Sequence, residues 1–183
     1  MPNWANNSLT ITHTDPELIK KAAEGFRGEG FLSAFMPIPE ALQDTRAGAY
    51  ADPVEQEALI AKQKANLAEY GYKDWYDWAV ANWGTKWDIS GEEPMVSDDG
   101  LTLTVGFQSA WSPPIEFYKV LEEKFGFGVE AYFYEGGMCF YGEYSNGVEN
   151  TTNFSCYADL PDEIVDMFCV EDWEEEEAEV NEG

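Results

Sequence analysis

The residues able to move a proton or attack an electrophile are few and scattered. A nucleophile–base pair needs a base that titrates near neutrality, and His13 is the single histidine of the 183-residue chain. It closes a predicted strand and reads as a structural residue. Cys139, Cys156 and Cys169 are odd in number and lack Cys-x-x-Cys spacing, so they predict buried free thiols rather than a disulfide framework or a zinc site. With 36 Asp and Glu, carboxylates fall near one another by chance, and no pair can be singled out for acid–base work. Asp98-Asp99-Gly100 falls short of a calcium loop and reads as a turn. There is no glycine-rich phosphate loop and no zinc-protease helix. No catalytic residue, metal site or cofactor is therefore assigned, and the expectation is a protein that is not an enzyme.

Charge says more. Ten Lys and Arg stand against the 36 acids, a formal net charge of −26, which excludes phosphate-driven nucleic-acid binding and disfavours an anionic membrane. The 44% hydrophobic and 15% aromatic content shows that such a charge sits on a folded chain. The acids are unevenly distributed: every base lies at or before Lys124, and from Phe125 onward there are 16 acids and no base. Duplex DNA carries one phosphate per ~3.4 Å along each strand, and an extended run of acids spaces its carboxylates by ~3.3–3.6 Å per residue, on alternating sides. Glu163, Asp166, Glu171, Asp172, Glu174, Glu175, Glu176 and Glu177, with Trp173 as an aromatic anchor, are accordingly the candidate partner-binding surface.

The elements that must position these residues can be read from periodicity. Ser8–His13 alternates as a half-buried strand, and Asp15-Pro16-Glu17 opens a helix running toward Gly25. Phe31–Leu42, broken by Pro37 and Pro39, predicts an edge strand or extended segment. Residues 52–83 turn helical, with Val54, Ala58, Leu59, Ala65, Leu67 and Ala68 before Gly71, and Trp75, Trp78, Ala79 and Trp83 after it. Lys86–Ser90 and Leu101–Ala110 predict strands around the Ser97–Gly100 turn. A second helix opens at Ser112-Pro113-Pro114 and runs to Phe125, Val129–Tyr144 forms an aromatic hairpin around Gly136-Gly137, Asn153–Tyr157 is another strand, and Leu160–Phe168 is a short amphipathic helix. Tyr132, Tyr134, Phe140 and Tyr141 could stack RNA bases, but Glu130, Glu135 and Glu143 with no nearby base argue for packing instead. Two β-α-β runs in one antiparallel sheet give an α+β fold of ferredoxin-like type with two packing helices. Residues 1–170 form its single domain, with the helical insertion at about 52–83, and 171–183 an acidic tail. The opening residues carry no basic or apolar leader, and no apolar run reaches membrane-spanning length, so a soluble cytoplasmic protein is expected and the Asn-x-Ser/Thr sequons at Asn6, Asn150 and Asn153 carry no meaning.

Several segments carry a family resemblance. Pro2-Asn3-Trp4 with Asn7, then Phe35, Pro37 and Pro39, then Asn82-Trp83-Gly84-Thr85-Lys86-Trp87-Asp88, then Ala110-Trp111-Ser112-Pro113-Pro114, then Glu135-Gly136-Gly137 resemble the Api92-like, YubB-type ferredoxin-fold proteins of phages and conjugative plasmids. The resemblance spans roughly residues 2–147. Ala5 stands where members often carry Cys, and the acidic segment from Leu160 onward is expected to lie outside the shared pattern. The resemblance implies a ferredoxin-like fold and a mobile-element setting, with no catalytic activity and no iron–sulfur cluster. Within its signature, Trp83, Gly84, Thr85, Lys86, Trp87, Asp88, Trp111, Pro113 and Pro114 read as structural, Lys86 being packed on indole faces.

Together these readings predict a mobile-element accessory protein that binds and inhibits a host DNA-binding or anti-phage defence protein through an acidic surface imitating DNA. The alternative is a non-enzymatic binding or assembly module whose acidity serves solubility. A small hydrolase or nucleic-acid-processing enzyme is third.

Overall fold

Strand β1 (Trp4–Thr12) shows why alternation organises this chain: Ala5, Asn7, Leu9 and Ile11 are buried on one face, and Asn6, Ser8 and Thr10 point to the other. The computed structural model describes residues 3–28 and 30–170. After β1, Asp15 caps helix α1 (Pro16–Arg27) by accepting from the Glu17 N–H, and α1 buries Ile19, Ala22, Ala23 and Phe26. The helices α2 (Phe31–Phe35), α3 (Glu40–Gln43), α4 (Pro53–Tyr70) and α5 (Trp75–Trp83) follow before the chain returns to the sheet.

The sheet is completed by β2 (Met95–Val96), β3 (Thr102–Ala110), β4 (Gly128–Glu135), β5 (Phe140–Ser145) and β6 (Val148–Asn153), in the order β2-β3-β1-β4-β5-β6 with every pair antiparallel. Between β3 and β4 lies α6 (Ile115–Val120), continued by one π-helical turn to Phe125. The order β2-β3-β1-β4, with α1 and α6 as crossovers, is the ferredoxin-like arrangement. The β5–β6 hairpin extends it by two strands.

One face of the sheet and the helices enclose the core. Leu9, Val105, Phe107, Val129 and Phe133 from the strands meet Phe26, Phe31, Phe117 and Tyr118 from the helices, with the Phe26 and Phe31 rings stacked at 4.0 Å. The other face is covered at one end by α7 (Asp162–Phe168), which buries Ile164 and follows the buried Leu160. The hairpin aromatics divide by register. Phe133 and Tyr144 enter the core, Tyr132, Tyr134 and Tyr141 lie on the outer face, and Tyr134 stacks on both Phe154 and Phe168. Glu135 falls on the core side of β4, where its buried carboxylate accepts from the backbone N–H groups of Gly137 and Met138 and closes the loop.

Three predicted elements differ. Phe31–Leu42 is helical at both ends rather than a strand, because the Asp88 carboxylate accepts from the Leu32 and Ser33 N–H groups at 2.8 and 3.1 Å and nucleates α2. Lys86–Ser90 is not a strand. Asp88 Oδ1 also takes the Ile89 N–H at 2.8 Å and the Ile89 carbonyl accepts from Phe31, leaving Met95–Val96 to pair with β3. The strand expected at Asn153–Tyr157 lies earlier, at Val148–Asn153. Asn146 (φ 52°) and Gly147 (φ 76°) make a two-residue turn, and Asp159 draws the Ser155 and Cys156 N–H groups out of the ladder. The expected acidic tail, 171–183, lies outside the described residues.

Candidate functional site

The Trp-Gly-Thr-Lys-Trp-Asp segment runs from the end of α5 toward α2, and its side chains divide into two groups. Trp83 is buried and donates its indole N–H to the Met36 carbonyl at 3.0 Å. Gly84 caps α5 with φ 83°, and a Cβ there would lie 3.1 Å from the Ile115 nitrogen, so both conformation and space require glycine. Thr85 donates to the Ala110 carbonyl at 3.0 Å, Asp88 caps α2, and the buried Pro113 and Pro114 lead into α6. These residues bind α5, α2, β3 and α6 into one corner of the fold.

Lys86, Trp87 and Trp111 are placed differently. The Lys86 ammonium lies 4.3 Å from the Trp87 ring centroid, 4.9 Å from that of Trp111 and 6.0 Å from that of Tyr76. Trp4 extends the cluster, its ring 5.9 Å from Trp87. Trp4, Trp87 and Trp111 remain 43%, 38% and 41% exposed. Trp111 holds φ 69°, a left-handed conformation that costs a bulky residue roughly 1–2 kcal/mol, and its N–H is fixed on the Asn3 carbonyl at 2.9 Å. Lys86 forms no ion pair among the described residues. A depression of about 290 Å³ opens beside it, lined by Ser33, Pro37, Ile38, Trp75, Trp83 and Trp87. Chemically this is an exposed aromatic platform around one cation.

A second surface lies on the outer face of β4–β6. Tyr132 and Glu143 are direct cross-strand partners, and Glu130 lies two residues away on the same face. Helix α7 brings Glu163 to the same place. Burial, followed by the charges of Glu163, Glu143 and Glu130, raises the Tyr132 phenol above its ordinary value, which marks four side chains as one electrostatic neighbourhood. Glu163 and Asp166 are exposed on α7, while Glu171, Asp172, Trp173, Glu174, Glu175, Glu176 and Glu177 lie outside the described residues. Sequence reasoning counted Glu130 and Glu143 only as acids opposing RNA. Their period-two spacing along the hairpin was the signal that put them on one face.

His13 is bound into the fold: its Nδ1 accepts from the Asp15 N–H at 2.8 Å, and its Nε2 lies 3.1 Å from the Phe125 carbonyl. Among the described residues, no three His, Cys, Asp or Glu side chains gather where they could hold a metal ion, and no helix is long and apolar enough to cross a membrane.

Residues 82–181 match the model of a family described as a ferredoxin-like domain in Api92-like protein. The match runs beyond Leu160, so the acidic segment expected outside the shared pattern lies largely inside it. Residues 2–81, which contributed the opening Asn-Trp and the Pro37 and Pro39 motifs to the resemblance, lie outside the match. Among solved structures, the crystal structure of protein Api92 from Yersinia pseudotuberculosis is similar at 12% identity with a TM-score of 0.40, over 85% of this chain and 99% of that one. No curated protein matches.

Proposed function

The chain belongs to the Api92-like protein family, and from that premise we propose that it is a non-catalytic binding protein of the host cytoplasm. It engages a host DNA-binding or anti-phage defence protein by presenting carboxylates in place of phosphates. The observation carrying this reading is the convergence of Glu163 from α7 with Glu130 and Glu143 from neighbouring strands around the tyrosine between them. Adjacent strands lie about 4.8 Å apart and alternate residues on one face about 7 Å. Carboxylates so placed form a fixed anionic lattice with spacings of the order found between phosphates, on a part of the chain that contains no Lys or Arg. A net charge of −26 steers a basic partner from a distance, and the half-buried Tyr132 supplies contact area once it has docked.

Affinity capture from host lysate at low and high salt, with and without competing duplex DNA, tests this reading. A DNA-binding protein should be retained, released by salt or by DNA, and lost with the triple variant Glu130→Gln/Glu143→Gln/Glu163→Gln. Retention that ignores both DNA and the triple variant sinks the proposal.

A second reading rests on the exposed Trp4, Trp87 and Trp111 around Lys86. Tryptophan clusters are typical interface anchors, so the chain could be an assembly module whose acidity keeps it soluble. In that case Trp87→Ala abolishes capture and the triple Gln variant leaves it intact.

A further inference from the structure

Helix α4 is built inside out. The side turned to the body carries Gln56, Leu59, Gln63, Asn66 and Tyr70, and only Leu59 and Asn66 are buried. Its attachments are polar. Asn66 Nδ2 donates to Thr45 Oγ1 at 2.9 Å and to the Lys73 carbonyl at 3.0 Å, Gln56 Oε1 accepts from the Tyr50 N–H at 2.7 Å, and Gln63 reaches Asp74 at 3.4 Å. The side turned to solvent is apolar: Val54, Ile60 and Leu67 are 77%, 54% and 51% exposed, and Ala58, Ala61, Ala65 and Ala68 are exposed between them. Exposing so continuous an apolar face on a monomer is unusual and marks an interaction surface.

We propose that this face is the contact between two copies of the chain, packed as an antiparallel helix pair about a two-fold axis. The spacing carries the assignment. Val54, Ala58, Ala61, Ala65 and Ala68 alternate steps of four and three, the seam of a helix pair, and Ile60 and Leu67 flank it as larger covers. In the antiparallel register Val54 lies against Ala65 of the second copy and Ala58 against Ala61, each layer repeated by the symmetry. The same register sets Glu57 opposite Lys64 and Lys64 opposite Glu57. Neither has an ion-pair partner among the described residues. Parallel pairing would instead direct Glu57 to Lys62, which is held on the Asp44 carbonyl at 3.0 Å, and would align the helix dipoles unfavourably.

Charge also selects a second copy. The chain as a whole is strongly anionic, whereas α4 holds Glu55, Glu57 and Glu69 against Lys62 and Lys64, so its surface is close to neutral. Two such bodies repel least where they meet along α4. An 18-residue helix is about 27 Å long, and an alanine seam of that length buries less than the ~1,200 Å² of a stable complex, so the dimer is weak and dissociates on dilution.

Sedimentation equilibrium of the full chain in about 0.15 M salt, where charge acts only over ~8 Å, is the test. A monomer–dimer equilibrium is expected. Ala61→Glu at the centre of the seam should raise the dissociation constant at least tenfold, with far-UV circular dichroism and melting temperature unchanged. Glu57→Lys and Lys64→Glu should each weaken the dimer, and the double variant Glu57→Lys/Lys64→Glu should recover it. A chain that stays monomeric at millimolar concentration overturns the proposal and leaves the face to a different protein, and a dimer indifferent to Ala61→Glu overturns it too.

Discussion

Helices α1 and α4 begin with the same device and end with opposite surfaces. Asp15-Pro16 and Asp52-Pro53 each place an aspartate cap before a proline, and both carboxylates accept from the first-turn N–H groups. Helix α1 then buries Ile19, Ala22, Ala23 and Phe26 and turns Glu17, Lys20, Lys21 and Glu24 to water, whereas α4 binds the body through Asn66 and Gln63 and leaves Val54, Ile60 and Leu67 outside. A cap starts a helix without choosing which face meets the core. That choice belongs to what lies beneath: under α1 are the apolar strand residues Leu9, Val105 and Phe107, and under α4 the polar backbone of residues 41–46 and 73–74.

The largest test of this contrast removes matched apolar side chains. Phe26→Ala should destabilise the fold by about 3–5 kcal/mol in denaturant unfolding, because a fully buried ring leaves a cavity. Leu67→Ala, on the outer face of α4, should stay within about 0.5 kcal/mol. Equal losses would show that α4 buries its apolar side within the monomer.

Next in size is the polar attachment. Asn66→Leu deletes the bonds to Thr45 and Lys73 and should cost about 1–3 kcal/mol, although leucine is the better helix former. A gain in stability would mean that the inner face of α4 is not polar in practice.

Smaller again are the caps, where the two helices should behave alike. Asp15→Ala and Asp52→Ala should each cost about 1 kcal/mol, and a markedly unequal pair would break the claim that the starts are equivalent.

The smallest effect at neutral pH concerns Tyr118, in the core that α1 closes. Its hydroxyl is fully buried with no hydrogen-bond partner among the described residues, and burial pushes its phenol far above the ordinary value of 10.0. A phenol whose folded value is raised leaves stability intact below about pH 10 and lowers it as pH rises beyond the unfolded value. Tyr118→Phe should change stability by about 1 kcal/mol or less at pH 7 and flatten the alkaline loss above pH 10, followed by absorbance at 295 nm. An unchanged alkaline limb would place the loss elsewhere, for example at Tyr144, whose phenol is raised by burial and by its hydrogen bond to Glu122.

Where the sequence was legible, the signal was local. Proline and aspartate marked the starts of α1 and α4, period-two alternation marked β1 and β3, and the Ser97–Gly100 turn marked the β2–β3 hairpin. Where it failed, a distant group had intervened: Asp88 turned Phe31–Phe35 into a helix and at the same time took Lys86–Ser90 out of the sheet. The signature segment shows the same limit. Its spacing identified the residues, and only folding separated Trp83, Gly84, Thr85 and Asp88, which join elements, from Lys86, Trp87 and Trp111, which face outward.

By itself the sequence determined the charge and its gradient, the ferredoxin-like class and the absence of bases after Lys124, because these depend on composition and short-range periodicity. Tertiary structure alone decided that Glu163 stands beside Glu130 and Glu143, that three tryptophans surround one lysine, and that the apolar stripe of α4 looks out rather than in. A period of 3.6 residues reveals that a stripe exists, and its direction is fixed by the chemistry of the surface the helix lies on.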